Sequence, residues 1–399
     1  MGIGLMAMQG TDQGDLFQAP AYPIAGLASD WAQNPPLLLV TCSKQKMKVP
    51  TCAQELYTSE RFQAARELAH TLGADWYIIS GKHGLLSPDQ IVEPYDMHLS
   101  EKTDAEIELW ANDIIKSLPP SPKRVCILAE KLYSDPIVSK LAKAKKRETL
   151  TPLEDIAPNY HKGWLFQAVS ICRRRKDLGT LYDVLPRKRG TNYLFPLHNL
   201  SQASLPDQGV YVFLNPSEKN FRGEKSRIVR IGTHAVSEGS KATLKERLSN
   251  HLGPKNGAGS HRGSVFRLHV GRAMLEQSAS YSTLPSWGDG QNTTTEIRAL
   301  EAGHEAKVSE YLSRLDVLII PASDAANKQS IRADIERQLI ALCSQDYQSI
   351  DQPAPDWLGQ WSPAEPIRRS GLWNVRDVAG TYDGFGRGSV REIIEILED

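Results

Sequence analysis

The sequence has 399 residues with 47 basic and 47 acidic side chains, and 40% of its residues are hydrophobic. This length predicts two or three domains, and the composition is that of a soluble globular protein. The balanced charge excludes DNA binding by bulk electrostatic attraction alone, so any contact with nucleic acid must come from local basic patches.

Cysteine usage and hydropathy predict the compartment. The cysteines are scattered, odd in number and without C-x-x-C spacing, so we expect no disulfide framework, no zinc site and a reducing cytoplasm. They are Cys42, Cys52, Cys126, Cys172 and Cys343. No apolar run approaches the roughly 18 residues that a membrane-spanning helix needs, and the first residues lack the pattern of a signal peptide.

The first half of the chain alternates strand and helix signals. Residues 1–35 are rich in Gly, Ala, Pro and Gln and predict a flexible tail. Residues 36–165 then predict an α/β domain with a parallel sheet, because strand and helix patterns alternate along it. Strands are expected within 35–46, 75–86 and 123–133, and helices at 53–73 and 104–118.

Polar loops follow the first two predicted strands. In parallel α/β sheets, ligands bind at the carboxyl ends of the strands, where such loops lie. The loops therefore predict a pocket in the N-terminal domain. Its candidate residues are Cys42, Ser43, Lys46, Lys82, His83, Asp89, Tyr95 and Asp96.

The spacing of these loop residues resembles a known family. CSKQK (42–46), SGKHGLLSPD (80–89) and EPYD (93–96) resemble the family of uncharacterised domains called DUF6884, which is similar to the YaaA-type peroxide-stress proteins. Some relatives are linked to base-processing chemistry on DNA, which implies a domain that recognises or excises an unusual base. Excision would need a carboxylate, Asp96 or Asp89, and a donor to the departing base, His83 or Lys82. A lysine that forms a Schiff base with an abasic sugar, Lys82 or Lys46, is the alternative.

A basic connector is predicted at 166–205. Its positive charge fits either a solvated face or contacts with DNA phosphates. The candidate DNA-binding residues in it are Arg173, Arg174, Arg175, Arg187, Lys188 and Arg189.

A hairpin and a helix organise the second half of the chain. Val210, Val212 and Leu214 alternate through one predicted strand, and a second strand covers 227–232. Leucines then recur every fourth residue from 244 to 252, which predicts a helix that carries Arg247 and His251 as an (i, i+4) pair.

The order of these features resembles the GIY-YIG nucleases across residues 206–399. GVY (209–211) and RIG (230–232) resemble the two halves of the name-giving motif, with Arg230 where a tyrosine is usual. Arg247 matches the helix arginine of the family, Glu336 on a predicted helix at 327–343 matches its metal-binding glutamate, and Asn374 its asparagine. The longer run of matching residues is similar to a subgroup with a lengthened hairpin.

The resemblance implies hydrolysis of a phosphodiester with one divalent ion, Mg²⁺ (or Mn²⁺), held mainly by Glu336. Tyr211 would be the base or water-orienting group and Arg247 the phosphate clamp. Arg230 or His234 would replace the second tyrosine. The candidate catalytic residues are Tyr211, Arg230, His234, Arg247, His251 and Asn374.

Alternation over HRGSVFRLHVG (261–271) predicts a further, half-buried strand. Arg262 and Arg267 would then be available for contact with DNA.

These features lead to three hypotheses. In the first, the chain is a cytoplasmic, Mg²⁺-dependent DNA endonuclease whose N-terminal domain recognises or excises a modified base, in restriction of foreign (phage) DNA. In the second, both pockets bind nucleic acid or nucleotide and neither turns over. In the third, the protein repairs damaged host DNA or acts in a stress response. The sequence does not decide the oligomeric state.

Overall fold

The computed structural model describes Trp31 and residues 34–120, 123–144, 147–234, 242–254, 259–279, 284–290, 293–324, 327, 329–346 and 349–398. The predicted flexible tail therefore lies almost wholly outside the described residues. The chain divides into two compact units, an N-terminal unit up to Arg173 and a C-terminal unit from Arg174 onward. None of the described helices is both long and apolar enough to cross a membrane.

The N-terminal unit is built on a five-stranded sheet. Its strands are β1 (Leu37–Thr41), β3 (Trp76–Ser80), β4 (Gly84–Leu86), β6 (Arg124–Leu128) and β7 (Glu148–Leu150), in the order β4-β3-β1-β6-β7. Strands β3, β1, β6 and β7 are parallel, whereas β4 turns back antiparallel to β3. All five side chains of β1 are buried, which agrees with its apolar sequence and its central position. A small hairpin pairs β2 (Thr51–Cys52) with β5 (Ile91–Val92).

Helices α1 (Ala53–Leu56), α2 (Glu60–Leu72), α3 (Asp104–Ser117) and α4 (Lys131–Ala144) complete this unit. The sequence predicted one helix over 53–73, and that prediction is wrong at its middle. Tyr57 has an extended backbone, and Ser59 caps a new helix by accepting a hydrogen bond from the Phe62 N–H. Helix α2 ends at Gly73, as predicted, with a left-handed backbone.

Helix α5 (His161–Lys188) leads into the C-terminal unit. The predicted connector is therefore largely a helix of 28 residues. The later part of the predicted connector includes β8 (Leu194–Pro196), which belongs to the sheet of the C-terminal unit.

The C-terminal unit contains a four-stranded antiparallel sheet in the order β10-β9-β11-β8. Strands β9 (Gly209–Lys219) and β10 (Lys225–Thr233) form a long hairpin. On its other edge, β9 pairs with β11 (Asp316–Pro321). Two irregularities in register interrupt the hairpin, between 225 and 227 and between 228 and 230.

Helices cover both faces of this sheet. They are α6 (Leu244–Leu252), α7 (Val265–Gln277), α8 (Thr295–Ser313), α9 (Ile331–Cys343), α10 (Glu365–Ser370) and α11 (Val390–Glu398). Val210 and Val212 of β9 lie in a core with side chains from α9 and α11, whereas Tyr211 and Phe213 lie in a second core with α6, α7 and α8. Because successive side chains of β9 point to opposite faces of the sheet, the unit has two cores, one on each face. The predicted fold class, α/β followed by a small α+β domain, is confirmed.

The strand predicted at 261–271 is wrong, because these residues form a 3₁₀ turn followed by α7. Ser264 caps α7 by accepting from the Arg267 N–H. Two polar residues of the helix, Arg267 and His269, are buried together with apolar neighbours such as Phe266 and Val270. Burial on more than one face hides the helical period, so alternation in the sequence was misleading.

Candidate functional site: a tyrosine, two arginines and a glutamate

The phenol of Tyr211 lies at the centre of a polar cluster on one face of the β9–β10 hairpin. Its oxygen is 2.9 Å from His251 Nε2, and it accepts a hydrogen bond of 3.4 Å from Arg247 Nε. Both partners come from α6, one turn apart. A capping box of Thr243 and Glu246 fixes the start of this helix.

Gly232 faces Tyr211 across the hairpin. A Cβ atom at this position would overlap the phenol ring of Tyr211. The glycine of the RIG tripeptide is therefore required by the tyrosine of the GVY tripeptide.

Arg230 reaches the same tyrosine from β10. Its guanidinium donates to the backbone oxygen of Trp373 and lies 4.8 Å from the ring centroid of Phe266, and it interacts electrostatically with Tyr211. Burial lowers the pKa of Arg230, while Tyr211 and Glu336 oppose that shift and Arg247 adds to it. The residue that stands in place of the usual second tyrosine thus brings a buried positive charge into the cluster.

Glu336 of α9 is the carboxylate of the cluster. Burial raises its pKa to about 7, an effect that Arg230 opposes and Asp377 adds to. The Thr233 backbone N–H opposes this rise in pKa. The sequence had not singled out Asp377, which has a left-handed backbone and lies far from Glu336 along the chain.

Asn374 and His234 lie at the margin of the cluster. The Asn374 side chain donates to the Ile231 backbone oxygen at 2.8 Å and accepts from the Ile231 N–H at 3.1 Å. The oxygen and the nitrogen of this one amide thus both bind the strand at the residue between Arg230 and Gly232. His234 Nε2 is 3.1 Å from the Asp207 backbone oxygen, and burial lowers its pKa.

Metal ligands are sparse here. Among the described residues, no group of three or more His, Cys, Asp or Glu side chains is arranged to hold a metal ion. Glu336 couples electrostatically to Arg230 and Arg247, so it is the candidate ligand, with Asp377 nearby.

The predicted DNA-binding residues of α7 and its approach point inward. Arg262 pairs with Glu301, and the fully buried Arg267 donates from Nε to Glu305 at 3.0 Å. Because both charges are neutralised inside the unit, the prediction that these arginines are available for DNA is wrong.

The predicted DNA-binding residues in α5 and directly after it are also engaged. Arg174 is buried and donates to the backbone oxygens of Leu342 and Ser344, so it too is not available for DNA. Three further arginines pair with carboxylates, and two cations lie over aromatic rings. These contacts are Arg173–Glu67, Arg187–Glu398, Arg189–Asp316, Arg175 over Phe221 and Lys188 over Tyr193.

A cavity of about 600 Å³ opens at the carboxyl ends of β1 and β6 in the N-terminal unit. Chain order reverses there, because β3 lies on one side of β1 and β6 on the other. Four predicted pocket residues line it: Cys42, Ser43, Lys46 and Asp96. The sequence had missed other lining side chains, among them Arg61, His98, Glu101, Glu130 and Tyr133.

The remaining predicted pocket residues are not part of the cavity lining. Tyr95 bonds to Ser80 at 2.7 Å, and its ring contacts His83 and the Lys82 ammonium. Asp89 accepts from Gln54 at 2.8 Å. Lys46 connects the two groups, because its ammonium lies 4.3 Å from the Tyr95 ring centroid while it lines the cavity. Burial lowers the pKa of Lys46, and Cys42 and Asp96 oppose that shift.

Comparison with known families agrees with this division of the chain. A family of unknown function, DUF6884, matches residues 37–167. No curated protein and no solved structure matches the chain. The GIY-YIG domain matches residues 172–398, more than half of the chain. The chain therefore belongs to the GIY-YIG family, whose domain is that of a nuclease, a phosphodiester hydrolase.

Proposed function

We propose that the C-terminal unit is a DNA endonuclease that depends on a divalent ion and acts through Tyr211, Arg230, Arg247 and Glu336. The observation that carries this proposal is the position of both arginines beside Tyr211. Arg247 donates to the Tyr211 oxygen, Arg230 interacts with Tyr211 electrostatically, and Glu336 interacts electrostatically with both arginines. Hydrolysis of a phosphodiester needs an acceptor for the attacking water and positive charge for the phosphate, and this cluster offers both.

Each side chain has a distinct task in the proposed reaction. The Tyr211 oxygen orients the attacking water and accepts a hydrogen bond from it. Arg247 and Arg230 offset the negative charge that grows on the phosphate as the water oxygen bonds to phosphorus and the bond to the leaving oxygen breaks. Asn374 keeps the strand that carries Arg230 in register, through its two hydrogen bonds to Ile231.

Glu336 would hold the ion, and its surroundings fit that task. Its carboxylate offers the hard oxygen donor that Mg²⁺ or Mn²⁺ prefers. Mg²⁺ keeps several waters, so a site with one protein carboxylate suffices. Burial raises the pKa of Glu336 to about 7, so a nearby cation would stabilise the ionised form of this carboxylate. A bound divalent ion would supply charge stabilisation for the phosphate and leaving oxygens.

The N-terminal unit would choose the target by receiving an unusual or modified base in its cavity. The volume of about 600 Å³ lies in the usual range of ligand pockets. Its lining carries cations, Lys46 and Arg61, together with carboxylates, Asp96 and Glu130. A lining that carries both positive and negative charge suits a neutral, polar group, such as a flipped-out base, better than a phosphate. Excision of that base before strand cleavage is the stronger form of the proposal, with Asp96 as its carboxylate.

A role in restriction of foreign DNA in the cytoplasm follows if modified DNA is the preferred substrate. The second candidate function is a sensor that binds nucleic acid without cutting it. Two observations favour this candidate: Arg230 stands in place of the second tyrosine, and Tyr211 is fully buried.

A cleavage assay with and without Mg²⁺ or Mn²⁺ tests these proposals on unmodified plasmid and on phage DNA with modified bases. Asp96→Asn probes the cavity, and Asp89→Asn is its matched control because Asp89 lies outside it. Glu336→Gln should abolish cutting. If Asp96→Asn removes the preference for modified DNA and Asp89→Asn does not, the cavity chooses the target. Abasic sites formed by Glu336→Gln, but not by a double variant with Asp96→Asn, would establish excision. If the intact protein binds DNA and never nicks it with either ion, the sensor replaces the nuclease.

A further inference from the structure

The loop that follows β1, residues 43–50, combines positive charge with exposed apolar side chains. It reads SKQKMKVP and contains three lysines and no acidic residue. Its apolar side chains Met47 and Val49 are 44% and 56% exposed. Single apolar residues on a surface are common, but these two alternate with lysines beside a cavity. Such a surface can contact both the phosphates and the bases of DNA.

The loop starts in the wall of the cavity and is held in place just beyond it. Lys44 and Lys46 line the cavity. Lys46 also forms a β-bridge with Tyr57. The Met47 N–H donates to the Leu56 backbone oxygen at 2.8 Å. These contacts fix the backbone of Met47 directly after a residue of the cavity lining.

The charges of these lysines are not neutralised within the protein. Among the described residues, no carboxylate forms an ion pair with Lys44, Lys46 or Lys48. In contrast, Arg262 and Arg267 of the C-terminal unit pair with buried glutamates. Lys44 and Lys48 are exposed, so an anionic partner can reach both of them.

The acidic groups of the cavity come from other segments of the chain. Asp96 and Glu101 belong to the segment that leads into α3. Glu130 lies directly before α4 and pairs with Arg61 at 2.5 Å. The unpaired positive charge therefore lies on the loop after β1, which favours an anionic strand along that side of the cavity.

We propose that residues 44–49 are a DNA-contacting loop that opens the base stack beside the cavity. Lys44 and Lys48 bind phosphates of the backbone, and Met47 enters the stack at the step that a base has left for the cavity. Methionine is among the apolar side chains that proteins insert between base steps. The proposal rests on the function proposed for the cavity, because the inserted side chain replaces the stacking that a departing base loses.

The salt dependence of DNA binding tests the phosphate contacts. The affinity of the full chain for a short duplex is measured from about 50 to about 200 mM salt, without divalent ions so that no strand is cut. Lys44→Gln and Lys48→Gln should each reduce the slope of log K against log salt by about 0.9. Lys116→Gln on α3, at a side chain that is 77% exposed, is the matched control and should leave the slope unchanged. Unchanged slopes for both loop variants would overturn the proposal, as expected if the loop contacts another protein instead.

The fluorescence of 2-aminopurine tests the insertion, because this base analogue brightens when it leaves the stack. The probe is a duplex with one 2-aminopurine opposite an abasic-site analogue, since an unpaired base is the easiest to extrude. At saturating protein, we expect the wild type to raise the fluorescence several-fold and Met47→Ala to lose most of that rise. Leu109→Ala is the control, because Leu109 is 64% exposed on α3 and is not part of the cavity lining. No rise with the wild type, or an equal rise with Met47→Ala, would overturn the insertion.

The outcomes separate the loop from the function proposed for the cavity. The substituted loop side chains are exposed, so none of these variants removes a buried contact. If Asp96→Asn removes the preference for modified DNA while the loop variants behave like the wild type, the loop proposal fails and the cavity still chooses the target. If the loop variants reduce the salt dependence while Asp96→Asn leaves the preference unchanged, the phosphate contacts stand and the function proposed for the cavity fails.

Discussion

Gly232 lies directly opposite Tyr211 in the β9–β10 pairing, and its missing side chain leaves room for the phenol ring. The two halves of the motif are thus one steric unit, in which the second strand accommodates the tyrosine of the first. This relationship explains why the second strand carries a glycine at 232, opposite the tyrosine of the first.

Gly232→Ala should displace the Tyr211 ring and lower the rate of DNA cleavage about 100-fold, since misplacement of a catalytic group by about 1 Å has that effect. Plasmid nicking under single-turnover conditions measures it. Gly303→Ala in α8 is the control, because a Cβ there has no atom within 4 Å. Full activity of Gly232→Ala would show that the ring can move without consequence.

Arg230→Gln should lower cleavage about 100-fold or more, because it removes a buried positive charge aimed at the site of the phosphate. The change keeps hydrogen-bonding atoms and removes the charge. Arg337→Gln is the matched control, since Arg337 is exposed on α9 and pairs with Asp334. Equal rates for both variants would exclude Arg230 from the reaction and return the role of the missing tyrosine to His234.

Much of this site could be predicted from the sequence, because its parts are local. Alternation of apolar residues predicts the hairpin strands, and leucines four residues apart predict α6, so Tyr211 and Arg247 were placed on the correct elements. The assignment to a lengthened-hairpin subgroup and the likeness to YaaA-type proteins stay predictions.

Other parts depend on contacts that no short-range pattern records. Ser264 meets His251 across 13 residues, and Arg267 meets Glu305 across 38. In the sequence, Arg267 looks like any other basic residue. Its buried ion pair with Glu305, which only the structure shows, is what removes it from contact with DNA. Strand β11 was also missed, although its run of apolar, β-branched residues is typical of a buried strand.

Glu305→Gln should destabilise the C-terminal unit by about 3–5 kcal/mol, because it leaves the buried charge of Arg267 without its partner. Arg267 also donates to the backbone oxygens of His251 and Leu252 at the end of α6, so the loss extends to the catalytic helix. Thermal unfolding measures the change. Glu310→Gln in the same helix breaks an exposed pair with Arg314 and should cost at most about 0.5 kcal/mol. Similar losses for both variants would contradict the buried ion pair.

Asp351 should make stability depend on pH. It accepts hydrogen bonds from the Tyr182 hydroxyl at 2.6 Å and the Phe221 N–H at 2.7 Å, and burial raises its pKa from 3.8 to about 6. Between these two values the folded state binds more protons than the unfolded state. The contribution of Asp351 to stability is therefore complete below pH 3.8 and is lost as the pH rises through about 6.

Asp351→Asn isolates this contribution, because the amide stays neutral at every pH. The free energy of unfolding in urea, measured from about pH 4.5 to about pH 7.5, gives the difference between variant and wild type. We expect that difference to shift in favour of the Asp351→Asn variant as the pH rises, by roughly 2 kcal/mol over this range. Subtraction cancels the titration of all other groups, so a difference that stays constant with pH would mean that Asp351 is ionised in both states throughout the range.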